Sequence, residues 1–330
     1  MDDAGLMLEA ARLYYLEDMT QDDIAATLGV SRFKVSRLIK EARSAGYVQI
    51  SVVSSVARCS ELEEDIKRSF GIGDAIVVPV ASDNGPAVRK SIGRQAAKYV
   101  LAQLKDGDAL GIAWGRTVYE VVAGFRPVGL RGLRVVQVVG GMGWTSNKIY
   151  PHEIVTQAAS TLHGSCHFLH CPALIESDEA RNTITSTEAI RAVIDIWDEL
   201  DVAVVGLGTL QPDAPLVQGT SAVAPGVLEH LRSRGAVGEL CGRFYDISGN
   251  VCDVRLNRCV VGLSPDHLRR TRCAIGVVGG REKVEALLGA LRGRFFDAVV
   301  TDEFTAVAVL KAHRMGLGQG TPRDVLEPLR

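Results

Sequence analysis

From residue 110 onward the chain repeats one unit: a short β-branched or apolar run, a glycine or aspartate, then a helical pattern. Leu110 to Trp114 leads into Gly115, Arg116 and Thr117; Val135 to Val139 into Gly140 and Gly141; Val202 to Val205 into Gly206, Leu207 and Gly208. Ile275 to Val278 then leads into Gly279 and Gly280, and Ala298 to Val300 into Thr301 and Asp302. Strands that alternate with helices form a parallel sheet, because each helical crossover restarts the next strand in the same direction and covers a sheet face. The fold class expected is α/β, with a Rossmann-like parallel sheet. Ligands of such sheets sit outside the carboxyl ends of the strands, where glycines admit the backbone and helix starts present free N–H groups to an anion. The five loops are expected to gather there. Thr117 offers a hydroxyl, Arg116 a guanidinium and Lys283 a point charge after Gly279 and Gly280.

Before this region stands MTQDDIAATLGVSRFKVSRLIKEARSAGY, residues 19 to 47. Thr20 with Asp23 can cap a helix whose apolar stripe is Ile24, Ala25 and Leu28, and Gly29 supplies a turn. A second helix starts at Ser31. Its apolar residues Val35, Leu38, Ile39 and Ala42 recur at spacings of three and four, leaving Arg32, Lys34, Arg37, Lys40 and Arg43 outside. This is the division a helix-turn-helix needs, since phosphates attract cations and the start of the recognition helix reaches base edges. Ser31, Arg32, Phe33, Ser36 and Arg37 are the candidate base readers; Lys40 and Arg43 suit phosphates, and Lys34 joins the cationic face. The alternative is a solvated amphipathic helix. Against it, Leu8, Ala11, Tyr14 and Tyr15 offer a supporting helix, and Tyr47, Val48, Ile50 and Val52 offer a wing strand.

At 330 residues the chain exceeds one such module, and two domains are expected: a winged helix-turn-helix at 1–55 and an α/β domain at 56–330. Ser54 and Ser55, followed by a capped helix over residues 60–70, mark the junction. A formal net charge of −2 argues against non-specific coating of nucleic acid and favours a localised DNA-binding face. The acidic start MDDAGLMLEA lacks the pattern of a secretion signal, and the longest apolar runs fall short of the roughly 20 residues that span a bilayer. The expectation is a cytoplasmic protein with no membrane partner. Seven irregularly spaced cysteines suit reduced thiols. His163, Cys166, His167, His170 and Cys171 lie close together, but a helix over residues 151–162 stopped by Gly164 makes 165–171 a strand. Alternation then splits the cluster between two faces, so no metal site is assigned. No loop carries a full G-x-G-x-x-G with its acidic partner, which disfavours a dinucleotide, and no cofactor is assigned.

GIAWGRT (111–117), VVGGMG (138–143), VVGLGT (204–209), AVGELCGRFYDISGN (236–250), GVVGGREKVEALLGALRG (276–293) and VVTDEFTA (299–306), in this order, resemble the SorC family of bacterial transcriptional regulators. The helix-turn-helix is likewise similar to that family's sigma-factor-like segment. The resemblance implies a sugar-binding domain related in fold to sugar-phosphate isomerases and glucosamine-phosphate deaminases, a phosphorylated sugar or polyol as effector, and a homodimer or homotetramer. It implies phosphate binding by Gly115, Arg116 and Thr117 with Lys283, a pocket lined by Gly140 and Gly141, and hydroxyl-facing roles for Glu239 and Asp246. His152 either joins them or caps its helix. Gly206 and Gly208 complete the candidate effector positions, and Trp114 and Trp144 are candidates to shape the pocket, whereas Trp197 belongs to the core. Arg116 and Val139 depart from small or polar residues of some relatives.

The function expected is therefore regulation of double-stranded operator DNA by a phosphosugar, with no catalytic residues. The competing class is an isomerase or deaminase carrying a DNA-binding module, with Asp302, Glu303, Glu239 and Asp246 as its acids and bases.

Overall fold

The computed structural model describes residues 3–17, 19–45, 47–48, 56–82, 85–141, 150–212, 214–219 and 223–317. The chain divides into two compact units, Met1–Val53 and Ser54–Arg330.

The first unit holds helices α1 (Asp3–Tyr15), α2 (Gln21–Leu28) and α3 (Arg32–Ser44). Thr20 caps α2 by accepting from the Asp23 N–H, and Gly29, at φ +64°, ends it. Ser31 caps α3 by accepting from the Lys34 N–H at 3.2 Å. Val35, Leu38, Ile39 and Ala42 are all buried, and the first three pack with Ala10, Leu13 and Ile24. In α1 the buried stripe differs from expectation. Ala10, Ala11 and Leu13 face inward, while Leu8 is 47% exposed, because α1 meets its neighbours through Ala10 and Leu13. After α3 the N–H groups of Tyr47 and Val48 bond back to the Ala42 carbonyl. The rest of the expected wing, with Ile50 and Val52, lies outside the described residues, as do Ser54, Ser55 and Trp144.

The second unit is built on a seven-stranded sheet. Its strands are β1 (Asp74–Val78), β2 (Ala109–Ile112), β3 (Arg134–Gln137), β4 (Ser165–His167), β5 (Val202–Val205), β8 (Cys273–Val277) and β9 (Ala298–Asp302). The intervening β6 (Ala236–Leu240) and β7 (Arg243–Asp246) form a separate antiparallel hairpin. The order is β1-β9-β8-β5-β2-β3-β4, and every pairing is parallel. Both faces are dry. Leu110, Ile112, Val202, Val204 and Ile275 pack on the side of helices α5 (Gly85–Gln103), α6 (Arg116–Ala123) and α7 (Pro151–Leu162). Ala109, Ala203, Val205 and Val299 pack on the side of α4 (Val56–Phe70) and the helices Val284–Arg292 and Glu303–Arg314. Trp197 is buried, as expected, with its indole N–H donating to the Gln137 carbonyl at 3.1 Å.

Strand order sets where a ligand can enter. From β2 the chain moves outward to β3 and β4, then returns to β5 on the other side of β2 and proceeds to β8 and β9. Connections therefore diverge between β2 and β5, and at such a switch point the strand-end loops part and leave a crevice.

Three local expectations are corrected. The helix expected at 60–70 begins at Val56, so Ser60 lies inside it and is not its cap. The helix Pro151–Leu162 ends on His163, which takes the left-handed conformation at φ +54°; Gly164 instead lies where a Cβ would come within 2.9 Å of the Leu133 carbonyl. The strand expected over 165–171 stops at His167, because the buried Gln137 side chain accepts the Leu169 N–H and draws the chain out of the ladder. All seven cysteines are free thiols, with Cys166 alone exposed. Among the described residues no three His, Cys, Asp or Glu side chains gather as a metal site, and no helix is long and apolar enough to cross a membrane.

Candidate functional site

The start of α3 presents its polar residues to solvent. Ser31, Arg32, Phe33, Ser36, Arg37, Lys40 and Arg43 are exposed, Lys34 is half-buried, and Phe33 stands out at 89% exposure. Arg32 lies 3.6 Å from Asp22, and Arg37 lies 3.5 Å from Glu41 one turn on. Both pairs are exposed and weak, so phosphates can compete for these side chains.

The second site is a cavity at the switch point. Its lining comes from the β2–α6 loop (Trp114, Gly115, Arg116, Thr117), the β5 loop (Gly206, Leu207, Gly208) and the β8 loop (Gly279, Glu282, Lys283). The β6–β7 hairpin adds Glu239, Cys241 and Gly242, and α5 adds Arg89. Gly115 precedes α6 at φ +143°, a conformation that disfavours a side chain, and it makes no side-chain cap. The first N–H groups of α6 are thus open to an anion. Arg89 and Arg116 flank them, neither bonded to a described carboxylate. Burial and the nearby Arg116 charge hold the Arg89 guanidinium below its ordinary value. The Glu282 and Glu120 charges act on Arg89 in the opposite sense, so the lining carries the acid Glu282 beside the two arginines.

The Lys283 ammonium, also in the lining, donates to the Leu207 carbonyl at 2.6 Å and so ties the β8 and β5 loops together. The lysine's loop is positioned from below by Asp302. That side chain accepts from the Thr305 N–H at 2.9 Å to cap the last helix, and from the Gly280 N–H at 3.1 Å. Glu239 lies over Gly208. Their backbones exchange two hydrogen bonds, of 2.9 and 3.1 Å, and any Cβ on Gly208 would fall 1.9 Å from the Glu239 carboxylate. Burial raises the Glu239 carboxyl above the usual range, while the Gly242 N–H at 2.7 Å and the Lys283 charge pull it back. Burial raises the Cys241 thiol, with the Glu239 charge adding to it, so this sulfur stays protonated and unreactive.

The other candidates lie elsewhere. Gly140 and Gly141 do not line the cavity. Gly140 closes onto Pro172 and Ala173, where a Cβ would meet backbone atoms at 2.6 Å, and Gly141 bridges to Pro172. Their glycines serve the approach of two backbone segments, and Val139 is the lining residue of that loop. His152 is exposed on α7, stacked near Tyr150. Asp246 closes the turn after β7 by accepting from the Ser248 and Asn250 N–H groups. Asp302 and Glu303 are buried structural acids; Glu303 faces the Val80 N–H. The four acids of the enzyme alternative are therefore dispersed, and only Glu239 reaches the cavity.

Arg89, Cys241 and Glu282 were not among the expected site residues, although Cys241 and Glu282 lie within two of the motifs that carry the resemblance. Arg89 sits in an ordinary helical stretch, and only the packing of α5 on α6 brings it beside Arg116.

Comparison with known proteins shows the family. Residues 54–311 match the sugar-binding domain family (Sugar-bind), and residues 11–45 match sigma-70 region 4. The sorbitol operon regulator of Klebsiella pneumoniae is 32% identical over 325 residues, covering 94% of this chain and 99% of that one. Its full-length crystal structure superposes with a TM-score of 0.71. The deoxyribonucleoside regulator of Bacillus subtilis is 30% identical over 305 residues, covering 92% and 97% of the two chains. Both relatives are named as regulators, consistent with a protein that is not an enzyme and not with the isomerase or deaminase alternative. With its parallel-sheet sugar-binding domain and sigma-factor-like helix-turn-helix, the chain belongs to the SorC family of bacterial transcriptional regulators.

Proposed function

We propose that operator binding by this regulator is set by a phosphorylated sugar or polyol in the switch-point cavity. The observation that carries the reading is that the uncapped start of α6, Arg89, Arg116 and Lys283 line one cavity. A phosphate is the group whose charge and oxygens answer this arrangement. The Thr117 hydroxyl and the Glu239 carboxyl are at hand for the hydroxyls of the same ligand. The relatives' names refer to sorbitol and to deoxyribonucleosides, which supports a polyhydroxylated effector.

Residues 1–55 act as the DNA-binding module and 56–330 as the sensing and oligomerising one, in the cytoplasm and without a cofactor. Half-sites one helical turn apart, about 34 Å, require paired recognition helices, hence a homodimer or homotetramer on double-stranded operator DNA. The effector acts by binding one arrangement of the paired sensing domains better than the other, and it shifts the equilibrium only by that difference.

Thermal unfolding in the presence of phosphorylated sugars and polyols, each beside its unphosphorylated parent, tests the reading. A ligand at 100 times its Kd stabilises the folded state by about 2.7 kcal/mol, and only phosphorylated compounds are expected to do so. Lys283→Ala is expected to remove the effector's influence on operator release and leave operator affinity intact. Equal stabilisation by the unphosphorylated parents, or an effector response that survives Lys283→Ala, overturns the assignment.

A further inference from the structure

Phe33 is the most exposed large apolar side chain among the described residues. Ser31 caps α3 and fixes its first turn, so the direction of the Phe33 side chain is set by the helix. At about 100° per residue, Phe33, Arg37, Lys40 and Ser44 fall within about 60° of one another. They lie on the side opposite the buried Val35, Leu38, Ile39 and Ala42. Arg32 and Arg43 flank this line on one side and Lys34 on the other. An aromatic ring at the centre of a cationic face, one turn before an arginine, is complementary to a surface that is anionic outside and apolar at one point within. A major groove lined by phosphates and carrying a thymine C5 methyl is such a surface, and phenylalanine is among the side chains that contact this methyl.

We propose that Phe33 reads a thymine methyl in each operator half-site, while Arg37, one turn on, lies along the same groove. The proposal rests on α3 being the DNA-contacting helix. It makes Phe33 a specificity-determining residue whose contribution is apolar and insensitive to salt, in contrast to the phosphate contacts of its neighbours.

The test uses the full chain to select an operator from a random duplex pool. Each thymine of the selected half-site is then replaced in turn by uracil, which deletes only the methyl group. At one thymine per half-site, uracil is expected to lower wild-type affinity about fourfold, the factor that one methyl removed from water represents. Phe33→Ala is expected to weaken binding to the parent operator by at least that factor and to become indifferent to uracil at that position. Phe33→Leu keeps part of the discrimination, and Arg37→Ala weakens binding yet keeps the uracil penalty. The proposal is overturned by uracil tolerated at every position by the wild type, by a half-site without thymine, or by a uracil penalty that persists in Phe33→Ala. A wild-type chain that enriches no sequence overturns the DNA-binding reading of α3 instead.

Discussion

Helices α3 and α6 both begin with an arginine, Arg32 and Arg116, and they differ in the residue before it. Ser31 precedes α3 and spends its hydroxyl on the Lys34 N–H; Gly115 precedes α6 and has no side chain to spend. The capped helix is self-sufficient at its start, so what it offers a ligand is side chains. The uncapped helix offers its own backbone N–H groups and the positive end of its dipole. A ligand read through side chains can be long and varied, as a DNA groove is. A ligand held by the backbone must be small and anionic.

Filling the empty cap is expected to have the largest effect. Gly115→Asp puts a carboxylate where an effector phosphate would sit, in a backbone conformation at φ +143° that a side chain strains. Effector affinity measured by calorimetry is expected to fall at least about 100-fold, or roughly 2.7 kcal/mol, with operator affinity in the absence of effector unchanged. Undiminished effector binding would show that the start of α6 is not the anion seat. On the other helix, Arg32→Ala or Arg37→Ala is expected to cost about 1–3 kcal/mol of specific operator binding if that arginine reads a base. Unchanged operator affinity for both would remove α3 from the interface.

A smaller change separates the two kinds of start directly. Ser31→Ala is expected to destabilise α3 by about 1 kcal/mol, and Ser31→Gly by only a few tenths. Hydrogen exchange at the Lys34 amide reports it, and equal protection in all three chains would mean that the cap contributes nothing.

The smallest expected effect is pH-dependent and belongs to the cavity. Burial raises the Glu239 carboxyl in the folded state. Its folded form therefore favours the proton, and stability is lost as pH rises from the unfolded value through the folded one. Glu239→Gln, which cannot ionise, is expected to gain stability relative to the wild type as pH increases across that window, and to show no such gain below it. A difference in Tm that stays constant with pH would mean that Glu239 ionises as freely folded as unfolded.

The two regions were also unequally readable. In α3 the four apolar residues expected inside are the four found inside, and the cap at Thr20 sits where short-range chemistry put it, whereas Ser31, expected as a base reader, gives its hydroxyl to the Lys34 N–H as the cap of α3. Capping and helical periodicity involve residues three or four apart, so a sequence exposes them. In the sheet unit the strand-end loops at Gly115, Gly206 and Gly279 were equally visible, yet Gly140 and Gly141 carried the same signal for a different reason. Their glycines admit the Pro172 segment, some thirty residues on, and no local pattern distinguishes that from a ligand loop. Asp302 and Glu303 look like reactive acids in sequence and are buried structural groups in the fold.

What the sequence by itself determined was the class of each part: an α/β sheet from alternating strands and helices, and a helix-turn-helix from a capped, half-cationic helix. Both follow from interactions along a few residues of chain. The tertiary structure decided which loops share a cavity. That depends on the order β8-β5-β2-β3, which places the β2 and β5 loops either side of the switch point, lays Glu239 over Gly208, and packs α5 so that Arg89 stands beside Arg116. Residues so far apart in sequence meet only through the packing of whole elements, and burial there raises the Glu239 carboxyl and decides the role of each glycine.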